Sequence, residues 1–196
     1  MAFAPKIYRW SWQFRSPPES LWPLVSNTDR FNRDCGLPPA RARPPVPGEP
    51  RTEPGVRRQE SSVLGVAVEW EEREFEWVQP VRFGVRRIFT KGPMAELVQS
   101  CELAPGPTGG TALVYELRIT PGNLLGALIL PIAIGSKLRR NAERVLRTYD
   151  QAALQGLGFA ALAVAFAALV SPHHRFEPAA LPFSQPIVDP AFFLAL

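Results

Sequence analysis

Thr120 to Asp150 reads TPGNLLGALILPIAIGSKLRRNAERVLRTYD, and most of it carries the pattern of one long helix. Pro121 and Gly122 break the segment before it, and Asn123 is a fitting N-cap. Leu124, Leu128, Ile132, Leu138, Ala142, Val145 and Tyr149 recur mostly at steps of three, four or seven, as one buried helical stripe requires. Lys137, Arg139, Arg140, Glu143, Arg144 and Arg147 fill the opposite face of the second half, with Glu143 and Arg147 at the favourable i,i+4 spacing. Leu124 to Ile134 is apolar on all sides, so this half must be covered all round or cover something itself. Pro131 removes one backbone hydrogen bond and crowds the preceding turn, so a bend is expected there. A long bent helix of this kind predicts one that lies across a curved sheet with a cavity beneath it.

Working outward, Thr111 to Thr120 is the clearest strand. Leu113, Tyr115, Leu117 and Ile119 point inward, while Glu116, Arg118 and Thr120 point outward. Ile7 to Phe14 alternates as cleanly, with Tyr8, Trp10, Trp12 and Phe14 on an aromatic inner face. Ser16-Pro17-Pro18-Glu19 has the form of a capping box with proline at the first helical position. A short helix with Leu21, Trp22, Leu24 and Val25 follows, and Thr28-Asp29 is expected to cap a second that ends near Gly36. Leu37 to Gly55 holds seven prolines and reads as a solvated, partly extended loop with PxxP spacings.

From Arg57 the pattern is a run of antiparallel strands. Arg57 to Leu64 is edge-like and turns near Gly65. Val66 to Val78 changes parity, since Val68 and Trp70 share one face while Phe75 and Trp77 belong to the other. A bulge near Glu71 to Arg73 would bring both sets inside. Gln79-Pro80 turns into Val81 to Thr90, Ala95 to Leu103 follows, and Gly109-Gly110 makes the last hairpin turn. The expected fold is α+β, in the order β-α-α-β-β-β-β-β-α.

That order, with SPPESLWPLVSNTDRFN after the first strand and the long closing helix, resembles the START-like helix-grip superfamily, also called SRPBCC or polyketide-cyclase/dehydrase and lipid-transport-like. The resemblance covers about residues 5 to 150. It rests on Ser16, Pro17, Glu19, Leu21, Trp22 and Leu24 of an SP-x-E-x-LW-x-L motif, and on EREFEWVQPVRFGV. TDRFNRDCGLPP with EWEEREFEWV is further similar to START-like modules found ahead of bacterial nucleotide-cyclase domains. The resemblance implies a seven-stranded antiparallel sheet gripping the last helix, with a hydrophobic ligand cavity between them. Residues 1–150 are accordingly expected to form the domain, and 151–196 an apolar helix with a Pro/Phe-rich end.

Composition narrows the function classes. The chain has 196 residues, a hydrophobic content of 46% and five tryptophans, which are ample for one core and a tail. A net charge of +4 with both signs interspersed is not a nucleic-acid footprint. Cys35 and Cys101 are too few for a disulfide framework or zinc site and read as buried thiols of a cytoplasmic protein. The expected domain contains no histidine, which removes the commonest general base and metal ligand. No metal site or cofactor is expected.

Among the carboxylates, Glu72, Glu74 and Glu76 are expected to form an outer charge ladder with Arg82 and Arg86, given pairing of Trp77 with Val81 and Phe75 with Phe83. The same register places Glu71 near Arg87 on the inner face. There the two form either a satisfied pair or a polar anchor in the cavity. Gln99 also falls inward. The candidate ligand-binding set is Trp10, Trp12, Glu71, Phe83, Arg87, Gln99, Tyr115, Leu124, Leu128 and Ile132. The leading expectation is non-enzymatic binding of a hydrophobic small molecule or lipid, with a sensor role in view. The alternative is a cyclase/dehydrase-type enzyme using Glu71 or Tyr115.

Ala152 to Val170 is 19 residues without a charge, the minimum for a membrane span. It is expected to form an apolar helix that enters a membrane, folds back on its domain, or meets a second chain. The basic residues before it would keep the domain cytoplasmic if it were an anchor. Ser171 to Leu196 reads as extended.

Overall fold

Seven strands form one antiparallel sheet in the order β1-β7-β6-β5-β4-β3-β2, with helices on its concave side. The structure, a computed structural model, describes residues 3–49, 52–63, 66–107 and 109–170. The turn expected near Gly65 and the segment from Ser171, with His173 and His174, lie outside them. The strands are β1 (Lys6–Phe14), β2 (Arg41–Ala42), β3 (Val56–Val63), β4 (Val66–Val78), β5 (Arg82–Lys91), β6 (Met94–Pro105) and β7 (Thr111–Pro121). Two short helices, α1 (Pro18–Val25) and α2 (Thr28–Asp34), follow β1. The chain closes with α3 (Leu124–Ile132), a π-helical turn (Ala133–Leu138) and α4 (Arg139–Val170). This is the helix-grip arrangement. The seventh strand is the two-residue β2, which the proline-rich loop lays against β3 through Arg41 and Ala42.

The first and last strands meet in the sheet. β1 pairs with β7 from Lys6↔Ile119 to Phe14↔Thr111, so the aromatic face of one and the aliphatic face of the other share the interior. Phe14, Leu21, Trp22, Leu97, Leu103, Leu113, Leu117 and Ile119 are buried there. Trp22 meets Phe83 and Trp77 edge-on, with ring centroids 5.8 and 5.9 Å away. Val85↔Gln99 and Gln99↔Leu117 carry the same inner face across β5, β6 and β7.

Strand β4 departs from expectation by one residue. Its pairing with β5 is irregular between Glu69 and Trp70 and between Glu74 and Glu76, not at Glu71 to Arg73, and Trp77 pairs with Phe83, not with Val81. Phe75 is therefore turned outward, half exposed, and its ring covers Gly84 on the convex side. Glu72 is turned inward and buried, directly opposite Arg87. Of the expected outer ladder, Glu76–Arg82 forms, at 2.6 Å. Glu69 and Glu71 take the convex face, where Arg43, Glu49, Arg58 and Lys91 join them in ion pairs. Those pairs pin the proline-rich loop to the sheet, so it is not wholly solvated.

The caps also differ in part. Asn123 caps α3 as read, its side-chain oxygen accepting from Gly126 N at 2.9 Å. Asn27, one residue before Thr28, caps α2 by accepting from Arg30 N. Ser16 caps nothing. Its hydroxyl donates to Asp150, which also accepts from the backbone N–H groups of Arg15 and Ser16. The serine of the expected capping box thus fixes α4 to the end of β1.

The closing helix is held by such specific ties. Pro131 has no N–H to give the Ala127 carbonyl, and Lys6 Nζ donates to that carbonyl instead, at 3.4 Å. The π turn that follows lies against Tyr8 at Gly135. Asn141 donates to the Cys35 carbonyl at 2.9 Å, and the Tyr149 hydroxyl donates to Asp34 at 2.5 Å.

By internal contacts the chain divides into Met1–Gly158 and Phe159–Leu196. The described part of the second unit, residues 159–170, is helical. Among the described residues no helix is long and apolar enough to cross a membrane. A span through Ala152–Val170 is therefore unsupported. Alanine contributes little to bilayer transfer, and Gln155, Gly156 and Gly158 dilute the run further.

Candidate functional site

The inner face of the sheet carries a row of polar groups in an otherwise apolar setting. Glu72 and Gln99 are each 1% exposed and Arg87 is 8% exposed. Glu72 Oε2 lies 2.5 Å from Arg87 Nε, and Oε1 lies 2.7 Å from Nη2 of the half-exposed Arg57. Burial acts to raise the Glu72 pKa, but the Arg87 and Arg57 guanidiniums outweigh it and hold the carboxyl below its usual range. The group is a carboxylate at neutral pH. Its position on β4 follows from the displaced bulge, because a strand's side chains alternate and one residue's shift exchanges the faces.

On this face three buried atoms lie outside hydrogen-bond geometry, namely Tyr8 Oη, Trp70 Nε1 and Gln99 Nε2, and of these the Trp70 indole N–H faces the Glu72 carboxylate closely enough to help lower its pKa. All three can donate. Tyr8, Leu117, Gln99 and Val85 form one cross-strand row, while Trp70 lies opposite Phe89 two rows further along. At strand spacings of about 4.8 Å and rises of about 3.3 Å, Gln99 and Trp70 lie roughly 15 Å apart along the face. A buried donor without an acceptor costs about 1–3 kcal/mol.

Tyr115 sits on the next row with Trp10, the two rings stacked at 6.1 Å and 6°. Burial raises its phenol pKa far above the usual value, so the hydroxyl stays protonated. Phe31 tilts against Tyr115 and against Tyr149. These rings fill the centre of the groove. Tyr8, Phe89, Met94, Ile134 and Leu138 are only partly buried and form its rim. Two openings of the described surface lie elsewhere. One is a cleft of about 450 Å³ beside the proline-rich loop, lined by Pro38, Pro39, Ser61 and Val68 among others. The other is a groove of about 650 Å³ on the outside of α3. The ring stack occupies the place where an open cavity was expected.

Of the sequence-derived candidates, Trp10, Trp12, Phe83, Arg87, Gln99 and Tyr115 share the inner face. Glu71 does not. It is half-buried on the convex side, 3.2 Å from Arg58, and Glu72 has the place expected of it. Leu124, Leu128 and Ile132 do not line the groove either, being 71%, 73% and 72% exposed. Gly126, Leu130, Ile134 and Leu138 carry the inward stripe into Ala142, Val145 and Tyr149. The π turn inserts one residue into the helical repeat and rotates the first half, which no α-periodic reading anticipates.

Glu72, Tyr8 and Trp70 were missed as polar groups of the site. The available signal for Glu72 was Gly84, whose missing side chain admits the Phe75 ring and so marks where the strand bulges. The cysteines offer no nucleophile. Burial, with Asp34 beside it, pushes the Cys35 thiol up to about 12, and burial raises Cys101 further. Among the described residues no three His, Cys, Asp or Glu side chains converge as metal ligands would.

No protein-family model matches the sequence, and no curated protein matches it. Solved structures do match the fold. An aromatase/cyclase, Zhui from Streptomyces sp. R1128, is similar with a TM-score of 0.55 at 10% identity, over 75% of this chain and 94% of that one. A protein from Deinococcus radiodurans gives 0.54 at 16% identity, over 75% and 98%. Ara h 8.0201 gives 0.51 at 11% identity, over 78% and 99%. At these identities the likeness is one of fold alone, the helix-grip fold. The finer resemblance to nucleotide-cyclase modules finds no support.

Proposed function

We propose that the domain binds an elongated, largely apolar small molecule bearing oxygen acceptors, held on the inner face of the sheet beneath the closing helix. The observation that carries this reading is the two buried, unpaired donors Tyr8 Oη and Gln99 Nε2 on one cross-strand row of an aromatic face. Binding sites of this kind are mostly apolar with a few placed polar groups. A ligand carbonyl or hydroxyl at each donor would satisfy groups that folding alone leaves unpaired. Entry requires the partly buried rim, Phe89, Met94 and Leu138, to move aside. The Glu72–Arg87 pair keeps the floor charged and fixed. The fold's occurrence in an aromatase/cyclase agrees with the reading without specifying the ligand.

The test is native mass spectrometry of the full chain, as purified and after exposure to fatty acids, sterols and polycyclic aromatic ketones. One bound molecule per chain is expected. Gln99→Leu, which keeps the volume and removes the donor, should weaken it about 5- to 10-fold, the worth of one hydrogen bond of about 1–1.5 kcal/mol. Uptake of none of these probes, or equal uptake by Gln99→Leu, would overturn the proposal.

A cyclase/dehydrase-type reaction in the same groove is the second reading. It is favoured by Tyr115, whose buried hydroxyl stays protonated and so can donate a hydrogen bond but not act as a base. Glu71 has no part in it from the convex face. Turnover of a bound ketone that Tyr115→Phe abolishes, with binding intact, would establish it.

A further inference from the structure

We infer that the exposed face of α3 and the π turn is a docking surface for an anionic lipid bilayer, which it meets lying flat in the interface. Leu124, Leu125, Leu128, Ile129 and Ile132 are all exposed, a cluster of large aliphatic side chains on one short helix. A single exposed leucine is ordinary, but a contiguous apolar patch marks an association site. Leu128, Ile129 and Ile132 continue without a break into Ser136, Lys137 and Arg140, with which they line one groove.

Charge selects the occupant. From Thr120 to Asn141 the sequence has no Asp or Glu, and Lys137, Arg139 and Arg140 are its only ionic side chains. Among the described residues these three form no ion pair, whereas Arg147, further along, is taken by Glu143 at 2.8 Å. A second copy meeting this face about a two-fold axis would bring the same cations against each other. The segment 171–196 offers only Glu177 and Asp189 to neutralise them. An anionic membrane surface supplies both halves of the complement, hydrocarbon for the leucines and phosphate for the cations. A helix of this length, about 13 Å, lies within the interfacial plane and is far too short to span. The inference does not depend on the groove beneath the helix holding a ligand.

Co-sedimentation of the full chain with vesicles of phosphatidylcholine plus phosphatidylglycerol, against phosphatidylcholine alone, tests it. Binding should require the anionic lipid and fall with added salt. Lys137→Gln and Arg140→Gln should each weaken partitioning about 5-fold, from about 1 kcal/mol per basic residue near the surface. Leu128→Ser with Ile132→Ser should weaken it at least about 10-fold. All four positions are exposed, so the variants should keep the wild-type circular dichroism spectrum and melting temperature. Hydrogen exchange across Leu124 to Ile132 should slow when anionic vesicles are present. No binding, binding that ignores lipid charge, or binding unchanged in the Leu128/Ile132 variant would each overturn the inference. So would a dimer that the same double substitution dissociates in the absence of lipid.

Discussion

Replacing Glu72 by Gln should destabilise the domain by about 3–5 kcal/mol, the range for removing one partner of a buried ion pair. The substitution keeps the side-chain shape and one acceptor oxygen but takes away the charge that Arg87 Nε meets at 2.5 Å. Arg57, which is half exposed, recovers water, so the penalty falls on Arg87. In thermal unfolding followed by tryptophan fluorescence, each kcal/mol is worth about 2–4 °C for a chain of this size, giving a fall of roughly 6–20 °C. Glu71→Gln is the control. Its partner Arg58 keeps a second carboxylate, Glu49, at 3.0 Å, so no charge is left unpaired and the cost should be about 1 kcal/mol or less. Replacing Glu72 and Arg87 together by leucine should recover much of the loss, because no unpaired charge then remains buried. The sign with pH follows from the depressed Glu72 pKa. Its contribution is fully present above the unfolded value of about 4.3 and disappears as pH falls through the folded one, so wild type and Glu72→Gln should converge in acid. A Glu72→Gln cost below about 1 kcal/mol, with Glu71→Gln costing more, would refute the register described for β4.

Asp150→Ala should cost about 2–4 kcal/mol in urea unfolding, since it removes the acceptor shared by Arg15 N, Ser16 N and the Ser16 hydroxyl. Burial works against its ionisation, but those hydrogen bonds hold its pKa below the usual range, so its contribution too is lost as pH falls through the folded value. Gly110→Ala should cost about 2–4 kcal/mol, because Gly110 has φ of 73° and an added Cβ would overlap the Phe14 carbonyl oxygen. Gly109→Ala, also at positive φ but in open space, should cost less in the same assay.

Most of the scaffold was legible because it rests on local signals. The alternation of Tyr8 to Phe14 and of Leu113 to Ile119 identified two strands and their inner faces, but not that they pair with each other as β1 and β7 do. Asn123 as a cap, and Glu143 with Arg147, were equally local. The role of Ser16 was not, because its partner Asp150 is over a hundred residues away and the capping-box pattern offered a nearer use. β2 was invisible for the reason that two residues, Arg41 and Ala42, carry no period.

The two misplaced parts of the site have one physical origin. An extra residue in β4 at Phe75 exchanges the strand's faces before it, and an extra residue in the π turn rotates the helix before it. Periodicity detects that a phase has changed, as the mismatch of Val68 and Trp70 with Phe75 and Trp77 did, but not at which residue. The location is set by packing, by Phe75 finding the bare backbone of Gly84 and by Tyr8 lying against Gly135. The first insertion puts Glu72 in place of Glu71 against Arg87, and so decides which carboxylate is buried beneath the helix. The second takes Leu124, Leu128 and Ile132 off the groove and presents them outward beside Lys137 and Arg140. In an uninterrupted α-helix Leu124 would fall back onto the buried stripe of Leu138, Ala142 and Val145. The lipid-facing surface and the polar floor of the groove thus each depend on one inserted residue.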